Sequence, residues 1–332
     1  MKVTARSTFL IVSILALLVS GYGQTFQDEP VVVRTNLVTM NVIVTDSKGR
    51  YVKGLKSEQF SIFDENARQK IAHFSVGAAP LSIGIVCEVH TNTPERLAPV
   101  LSALKQFVAT LGPGDTFFFT GYSADGSVTT EFIPSAYQVI EHLTGVKPGG
   151  PSALFDAVYS ASGRLRQSNN LKRALLVISD GQDSNSKHSY NQVRNRLREF
   201  DAQIYTIGIA DPKDQFAGYR RWMFEDITRQ TGRRSFLLNA EAEMGRAVLG
   251  EMARVSGGTS YTPESESEPE LTGICAEIAL EFREQYTMGF YPSDLINPKW
   301  HRLKVRVAAP TRRSALSLFY RDGYQPVTGK DD

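Results

Sequence analysis

Ala174-Leu175-Leu176-Val177-Ile178 and Ile204-Tyr205-Thr206-Ile207-Gly208-Ile209 decide the fold of this chain. Both are apolar runs of strand length, and the polar, helix-patterned residues 190–200 lie between them. A strand with one wet face alternates apolar with polar residues, whereas a strand that is apolar throughout is covered on both faces, as parallel strands between helical layers are. Leu81-Ser82-Ile83-Gly84-Ile85-Val86-Cys87 reads the same way and is followed by the helical spacing of Leu97, Val100, Leu101, Leu104, Phe107, Val108 and Leu111. Pro94 suits the first turn of that helix, with Thr93 as its cap. Thr116-Phe117-Phe118-Phe119-Thr120 and residues 128–133 read as further strands, and residues 137–143 and 153–165 as further helices. The alternation predicts an α/β fold, a doubly wound and mostly parallel sheet.

Both ends of the chain have another rhythm. Val38, Met40, Val42 and Val44 alternate with Thr39, Asn41, Ile43 and Thr45, the period of a strand with one buried face. Asp46-Ser47-Lys48-Gly49 is a hairpin signal, and Phe60-Ser61-Ile62-Phe63 and Ile71-Ala72-His73-Phe74 are two short strands around a polar turn at 64–68. After a last helix at 271–282, strand patterns return at 285–291, 303–307 and 316–320. Three strands at either end would leave exposed edges, so the two ends are expected to pair into one small β-sandwich that carries the α/β domain as an insertion. The expected division is 1–23, a leader; 24–78, an N-terminal β segment; 79–283, the α/β domain; 284–325, a C-terminal β segment pairing with 24–78; and 326–332, a tail. Residues 211–249, helical in character at 222–231 and 241–249, read as an insertion. Val255-Ser256-Gly257-Gly258 reads as a helix stop before a strand.

With 332 residues, 42% hydrophobic and 22% charged, the chain has a globular composition that excludes disordered and collagen-like classes. Lys2 and Arg6 account for the whole formal charge of +2, so the balanced remainder gives no nucleic-acid reading. Those two residues precede the apolar residues 8–19 and the small residues Ser20, Gly21 and Gly23, the pattern of a secretory signal peptide. An uncleaved anchor over 7–27 is the competing reading. No later stretch is apolar enough to span a membrane, and the mature chain is expected outside the cytoplasm, periplasmic or extracellular. Cys87 and Cys275 could be bridged in that compartment, but their apolar settings point to two buried thiols.

In a doubly wound sheet, ligands bind outside the carboxyl ends of the strands. Three loops matter there: Glu88-Val89-His90-Thr91-Asn92-Thr93-Pro94, Gly149-Gly150-Pro151-Ser152-Ala153-Leu154-Phe155-Asp156 and Ser179-Asp180-Gly181-Gln182-Asp183-Ser184. They resemble the metal-site segments of the von Willebrand factor A (VWA) fold. In that family an Asp-x-Ser-x-Ser loop, a Thr and an Asp in a Ser-Asp-Gly setting hold Mg²⁺ or Mn²⁺ and leave one position for an acidic group of a partner protein. The resemblance puts Glu88 at the first Asp, His90 and Asn92 at the two Ser, Ser152 at the Thr and Asp180 at the Asp. Only Asp180 is unchanged. A hard cation wants about six oxygens near ~2.1 Å. Glu88 is a methylene too long for that geometry, His90 suits Zn²⁺ better than Mg²⁺, and Asn92 offers a neutral amide. The expectation is therefore a degenerate site for a divalent cation (Mg, Mn or Zn), with His90, Asn92, Ser152 and Asp180 forming a protein-binding surface. Asp156 is expected to bond a loop and Asp183 to sit in a turn.

The flanks extend the resemblance. Leu37-Val38-Thr39 with Asp46-x-Lys48-Gly49-Arg50, Phe60-x-Ile62-Phe63-Asp64-Glu65 with Gln69-Lys70-Ile71, and Arg283-x-Gln285-Tyr286-x-x-Gly289-Phe290-Tyr291-Pro292 with Arg321-x-Gly323-Tyr324 are similar to acidobacterial VWFA-related exported proteins. That similarity implies a VWA domain with β flanks and a protein-binding role. Enzyme motifs are missing: the sequence has no phosphate loop, His-Glu-x-x-His, Gly-x-Ser-x-Gly or Cys-x-x-Cys. A hydrolase built on Glu88, His90 and Asp180 is the residual enzymatic reading, and an envelope component that makes its main contact through the β-sandwich is the structural one. Arg220-Arg221-Trp222 with Arg233-Arg234 reads as solvated helix ends, and the acidic stretch 264–270 lacks the spacing of a calcium loop.

Overall fold

The computed structural model describes residues 37–77, 79–88, 94–123, 126–132, 152–199, 201–209, 240–292, 299–308 and 315–326. The leader, Thr93, the helix expected at 137–143, most of the expected insertion and the Arg220 and Arg233 groups lie outside the described residues. In chain order the first strands are β1 (Val38–Asp46), β2 (Phe60–Asp64), β3 (Ala67–Gln69) and β4 (His73–Val76). The middle of the chain runs β5 (Leu81–Glu88), α1 (Pro94–Ala109), β6 (Thr116–Ser123), β7 (Gly126–Thr129), α2 (Leu154–Leu165) and β8 (Lys172–Ser179). It continues through α3 (Tyr190–Arg198), β9 (Gln203–Gly208), α4 (Ala240–Ser256), β10 (Ser260–Tyr261) and α5 (Glu268–Glu284). The last strands are β11 (Tyr286–Phe290), β12 (His301–Val307), β13 (Leu316–Phe319) and β14 (Gly323–Tyr324).

The middle strands form one sheet in the order β10-β9-β8-β5-β6-β7, in which every neighbouring pair is parallel except the β6–β7 hairpin. Successive residues of each strand feed opposite cores. Ile83, Ile85, Leu176, Ile178 and Tyr205 pack under α1 and α5, together with Phe107, Ile278 and Phe282. Val86, Leu175, Val177 and Ile204 pack under α2, α3 and α4, with Val158, Leu197 and Met252. Helices on both faces explain why these strands carry so few polar residues. Cys87 and Cys275 are free thiols buried in the first of these cores, where loss of water pushes both well up, to about 12.

The two chain ends build the remaining sheets, with strand orders β13-β1-β11-β4 and β14-β12-β2-β3. β1 is bracketed by C-terminal strands on both sides, with Val42 opposite Tyr286 and Val44 opposite Leu318. β2 lies against β12, with Ile62 opposite Val305. Val42, Val44, Phe60, Ile62, Tyr286, Met288, Phe290 and Val305 fill the space between the sheets.

Four readings need correction. β1 is buried on both faces rather than one: Thr39, Asn41 and Thr45 are buried too, and Thr287 Oγ1 satisfies Asn41 Oδ1 at 2.7 Å. The turn expected over 64–68 shrinks to Glu65-Asn66, both left-handed (φ 50° and 85°), the geometry of a two-residue hairpin, so Ala67 and Arg68 pair as β3. The next strand starts at His73, and Ile71 packs against the sandwich core instead. Finally, residues 241–249 are no insertion. They belong to α4, whose Leu249, Met252 and Val255 close the core above β9, because β9 would otherwise be bare on that face.

Candidate functional site

β5 and β8 are neighbours at the centre of the sheet, and the chain leaves β5 toward β6 on one side and returns through β8 on the other. Their carboxyl ends therefore flank the crevice where a doubly wound sheet binds ligands. Glu88 closes β5 and is only 3% exposed. Its Oε2 accepts from the Ser179 hydroxyl at 2.5 Å and from the Asp180 amide at 3.2 Å. Ser179 Oγ in turn accepts from the Gly181 amide at 2.9 Å, and Asp180 Oδ1 from the Gln182 amide at 2.8 Å. Tyr122 lies beside Glu88 in the parallel register, and burial first, then the Glu88 carboxylate, pushes its phenol far up.

Gly181 is what allows this turn. Its φ of +80° disfavours any L side chain, and a Cβ there would stand 2.2 Å from the carbonyl oxygen of Gly245 in α4.

Ser152, just before α2, is tied to the same loop. Its carbonyl accepts from the amides of Ser184 (3.0 Å) and Asn185 (2.9 Å), and its amide donates to Ser184 Oγ at 3.1 Å. Its own buried hydroxyl has no hydrogen-bond partner among the described residues. The structure thus brings Glu88 into contact with the Asp180 backbone and fastens Ser152 to the loop that Asp180 begins. His90 and Asn92 lie outside the described residues.

The loop after Asp180 is held mostly by residues that sequence reasoning gave minor parts. Asp183 caps α2 from outside the helix: its Oδ2 accepts from the Phe155 amide at 2.9 Å and from the Ser186 hydroxyl at 2.5 Å. Asp156 accepts from the amides of Lys187 (3.0 Å) and His188 (2.9 Å), and its Oδ1 is 2.6 Å from His188 Nδ1. Burial pushes the Asp156 carboxyl up, but those donors outweigh it and hold the group below its ordinary value. The His188 ring stacks on the Tyr159 ring at 3.9 Å, and the Arg196 guanidinium lies 5.2 Å from the centre of the Tyr159 ring. Ser186 and His188 carried no sequence signal beyond a Ser-rich stretch.

The described residues do not by themselves fit a Mg²⁺ shell. Among them no three His, Cys, Asp or Glu side chains converge as metal ligands. One oxygen each of Glu88 and Asp180 already accepts from protein donors, and Ser152 Oγ is a single neutral oxygen.

No protein-family model matches the sequence, and no curated protein matches it. Solved structures do. A von Willebrand factor type A protein from Catenulispora acidiphila is 11% identical, with 80% of this chain and 75% of that one covered and a TM-score of 0.42. BatB from Bacteroides thetaiotaomicron is 15% identical over 60% of this chain and 98% of its own, with a TM-score of 0.41. The PilB minor pilin from Streptococcus sanguinis is 9% identical over 62% of this chain and 62% of its own, with a TM-score of 0.40. By its own strand order, with helices packed on both faces, the central sheet of this chain is the doubly wound, mostly parallel α/β sheet that the resemblance implied.

Proposed function

We propose that this protein is an exported, non-enzymatic docking module that binds another protein through the crest formed by the ends of β5 and β8 and the start of α2, with a degenerate metal site. The observation that carries the reading is Glu88, whose Oε2 is spent on Ser179 and Asp180 rather than offered outward. The crest is held by carboxylate-to-amide bonds from Asp156, Asp180 and Asp183, so a partner meets a surface ordered in advance and loses little entropy in fixing it. Ser152 and Asp180, with His90 and Asn92 from the neighbouring loop, supply the polar contacts. Export rests on the leader pattern of residues 1–23. Among the described residues, no helix is long and apolar enough to cross a membrane.

Titration calorimetry of chelator-stripped protein is expected to show weak or no Mg²⁺ binding, and capture of envelope proteins is expected to be the same in chelator and in Mg²⁺. Tight Mg²⁺ binding lost in Asp180→Ala overturns the metal-independent reading. The second reading, an envelope component acting through its β-sandwich, draws on an open cleft of about 460 Å³ lined by Phe60, Arg68, Lys70 and Ile71 at the sandwich edge. Partners that survive Ser152→Ala with Asp180→Ala but are lost on Arg68→Glu with Lys70→Glu would favour it.

A further inference from the structure

β12 reads His301-Arg302-Leu303-Lys304-Val305-Arg306-Val307, and its residues turn alternately inward and outward. His301, Leu303 and Val305 are buried, whereas Arg302, Lys304 and Arg306 between them are exposed, and all of these are basic. The strand pairing carries this outer face across the sheet. Lys304 stands opposite Phe63 of β2, and Phe63 stands opposite Arg68 of β3, so Arg68, which is also exposed, shares the face. Ser61 lies opposite Arg306 and adds no charge. The Arg306 guanidinium lies 5.0 Å from the centre of the half-buried Phe63 ring, a stacking contact that orders it over the middle of the face.

The chain does not neutralise this face itself. Among the described residues, no carboxylate is ion-paired with Arg68, Arg302, Lys304 or Arg306. The acids at its margins are engaged: Glu65 Oε1 accepts from the Arg302 amide at 2.6 Å, and the Asp322 carboxylate is 2.9 Å from the Arg254 guanidinium. An exposed sheet face is ordinarily kept soluble by mixed signs, and neighbouring like charges repel one another without adding to the sheet. The chain beyond the leader is charge-balanced, so this concentration of one sign is local and does not follow from composition.

We propose that this outer face of the β-sandwich rests on an anionic phospholipid surface, with Arg68, Arg302, Lys304 and Arg306 meeting the lipid phosphates. Shape and chemistry choose that partner. A strand rises about 3.3 Å per residue and neighbouring strands lie about 4.8 Å apart, so these cations span a shallow field of about 13 by 10 Å. A protein partner draws most of its affinity from an aromatic or aliphatic anchor in a central pocket. Here the central apolar side chain is Phe63, and Arg306 covers it. Lipid headgroups need no pocket, and because they move in their plane they can match any spacing of cations. Each Lys or Arg held near an anionic membrane strengthens binding about fivefold, over a reach of about 10 Å at ~0.1 M salt. The face shares no residue with the crest, so this proposal goes beyond the crest reading and stands or falls separately.

Vesicle co-sedimentation of the mature chain from Gln24, which lacks the apolar leader, tests this. At low salt the chain should pellet with phosphatidylcholine vesicles that hold about one part in three of phosphatidylglycerol, and about 0.5 M salt should release it. With phosphatidylcholine alone it should stay in solution. Arg302→Gln with Lys304→Gln should weaken binding by at least about tenfold, with circular dichroism confirming the fold. Arg68→Gln, on a different strand, should weaken it about fivefold by itself. Lys48→Gln with Lys105→Gln removes as much charge from exposed positions outside the face and should leave binding within about twofold. A chain that ignores the anionic vesicles, binding that survives the Arg302 and Lys304 pair, or binding that falls equally in both pairs would each overturn the inference. So would a chain that captures polyglutamate or duplex DNA through Arg302 and Lys304 but takes up no vesicles, which would give the face to an acidic polymer instead.

Discussion

The Tyr286 phenol donates to the carbonyl of Val52 at 2.7 Å, across 234 residues of chain, and accepts from the Leu55 amide at 3.1 Å. Tyr286 is fully buried at the head of β11, between Phe60 and Phe74, with ring centroids 5.1 and 6.0 Å away. The N-terminal strands therefore close their core on a residue synthesised after the whole α/β domain. β1 has no strand neighbour from its own end, since β11 and β13 flank it, and β2 pairs with β12 as well as with the short β3.

Removal of residues 285–332 is accordingly expected to unfold residues 37–77 while the central sheet persists. Amide exchange or limited proteolysis should report fast loss of protection in β1 to β4 only. Tyr286→Phe is the milder test. It leaves the Leu55 amide and Val52 carbonyl without their partner and should cost about 1–3 kcal/mol, with the sandwich still formed. A truncated chain that still protects β1 would show that the two ends fold separately.

A second expectation concerns the crest. Gly181→Ala must place a methyl group 2.2 Å from the Gly245 carbonyl at a φ of +80°. Left-handed backbone alone costs Ala about 1–2 kcal/mol, and the clash forces either the Ser179–Gln182 turn or α4 to move. Gly250→Ala, in the same helix with nothing within 4 Å of its Cβ, is the matched control and should be neutral or stabilising by up to about 1 kcal/mol. Thermal denaturation should therefore separate the two variants by roughly 5 °C or more. Equal melting temperatures would mean that the close approach of the loop to α4 does not hold in solution.

The parts that were legible in the sequence share a physical cause. Ala174-Leu175-Leu176-Val177-Ile178 could only be a strand covered on both faces, and once β5 and β8 are neighbours, Glu88 and Asp180 must meet at their ends. The pairing of the two chain ends followed from counting strands that had no partner. The shift of β4 was not legible, because Ile71 and Phe74 are equally apolar and only the pairing with β11 decides which of them lies in a strand. The fastening of the crest was hidden for a similar reason. Asp183 reaches the Phe155 amide over 28 residues and Asp156 reaches His188 over 32, contacts set by how a loop folds back and not by any local pattern.

Lys172 gives the pH dependence. It is 2% exposed at the start of β8, and its Nζ donates to the carbonyl of Phe282 in the last turn of α5. Burial, and then the charge of Arg283, pull its ammonium down to about 8 from 10.5, against the opposing pull of Asp115. A base whose folded value lies below its unfolded one binds fewer protons when folded, so its contribution to stability rises with pH between about 8 and about 10.5, by up to ~1.4 kcal/mol per pH unit. Below about 8 the ammonium is charged in both states, and the penalty for burying it is constant. Lys172→Met removes that slope. The difference in urea midpoint between wild type and variant should therefore shift in the wild type's favour as pH is raised from ~7.5 to ~9.5, while other titrating groups cancel in the difference. A difference that stays flat over that range would mean that Lys172 keeps its proton on folding, and that water or a rearranged α5 end reaches the buried amine.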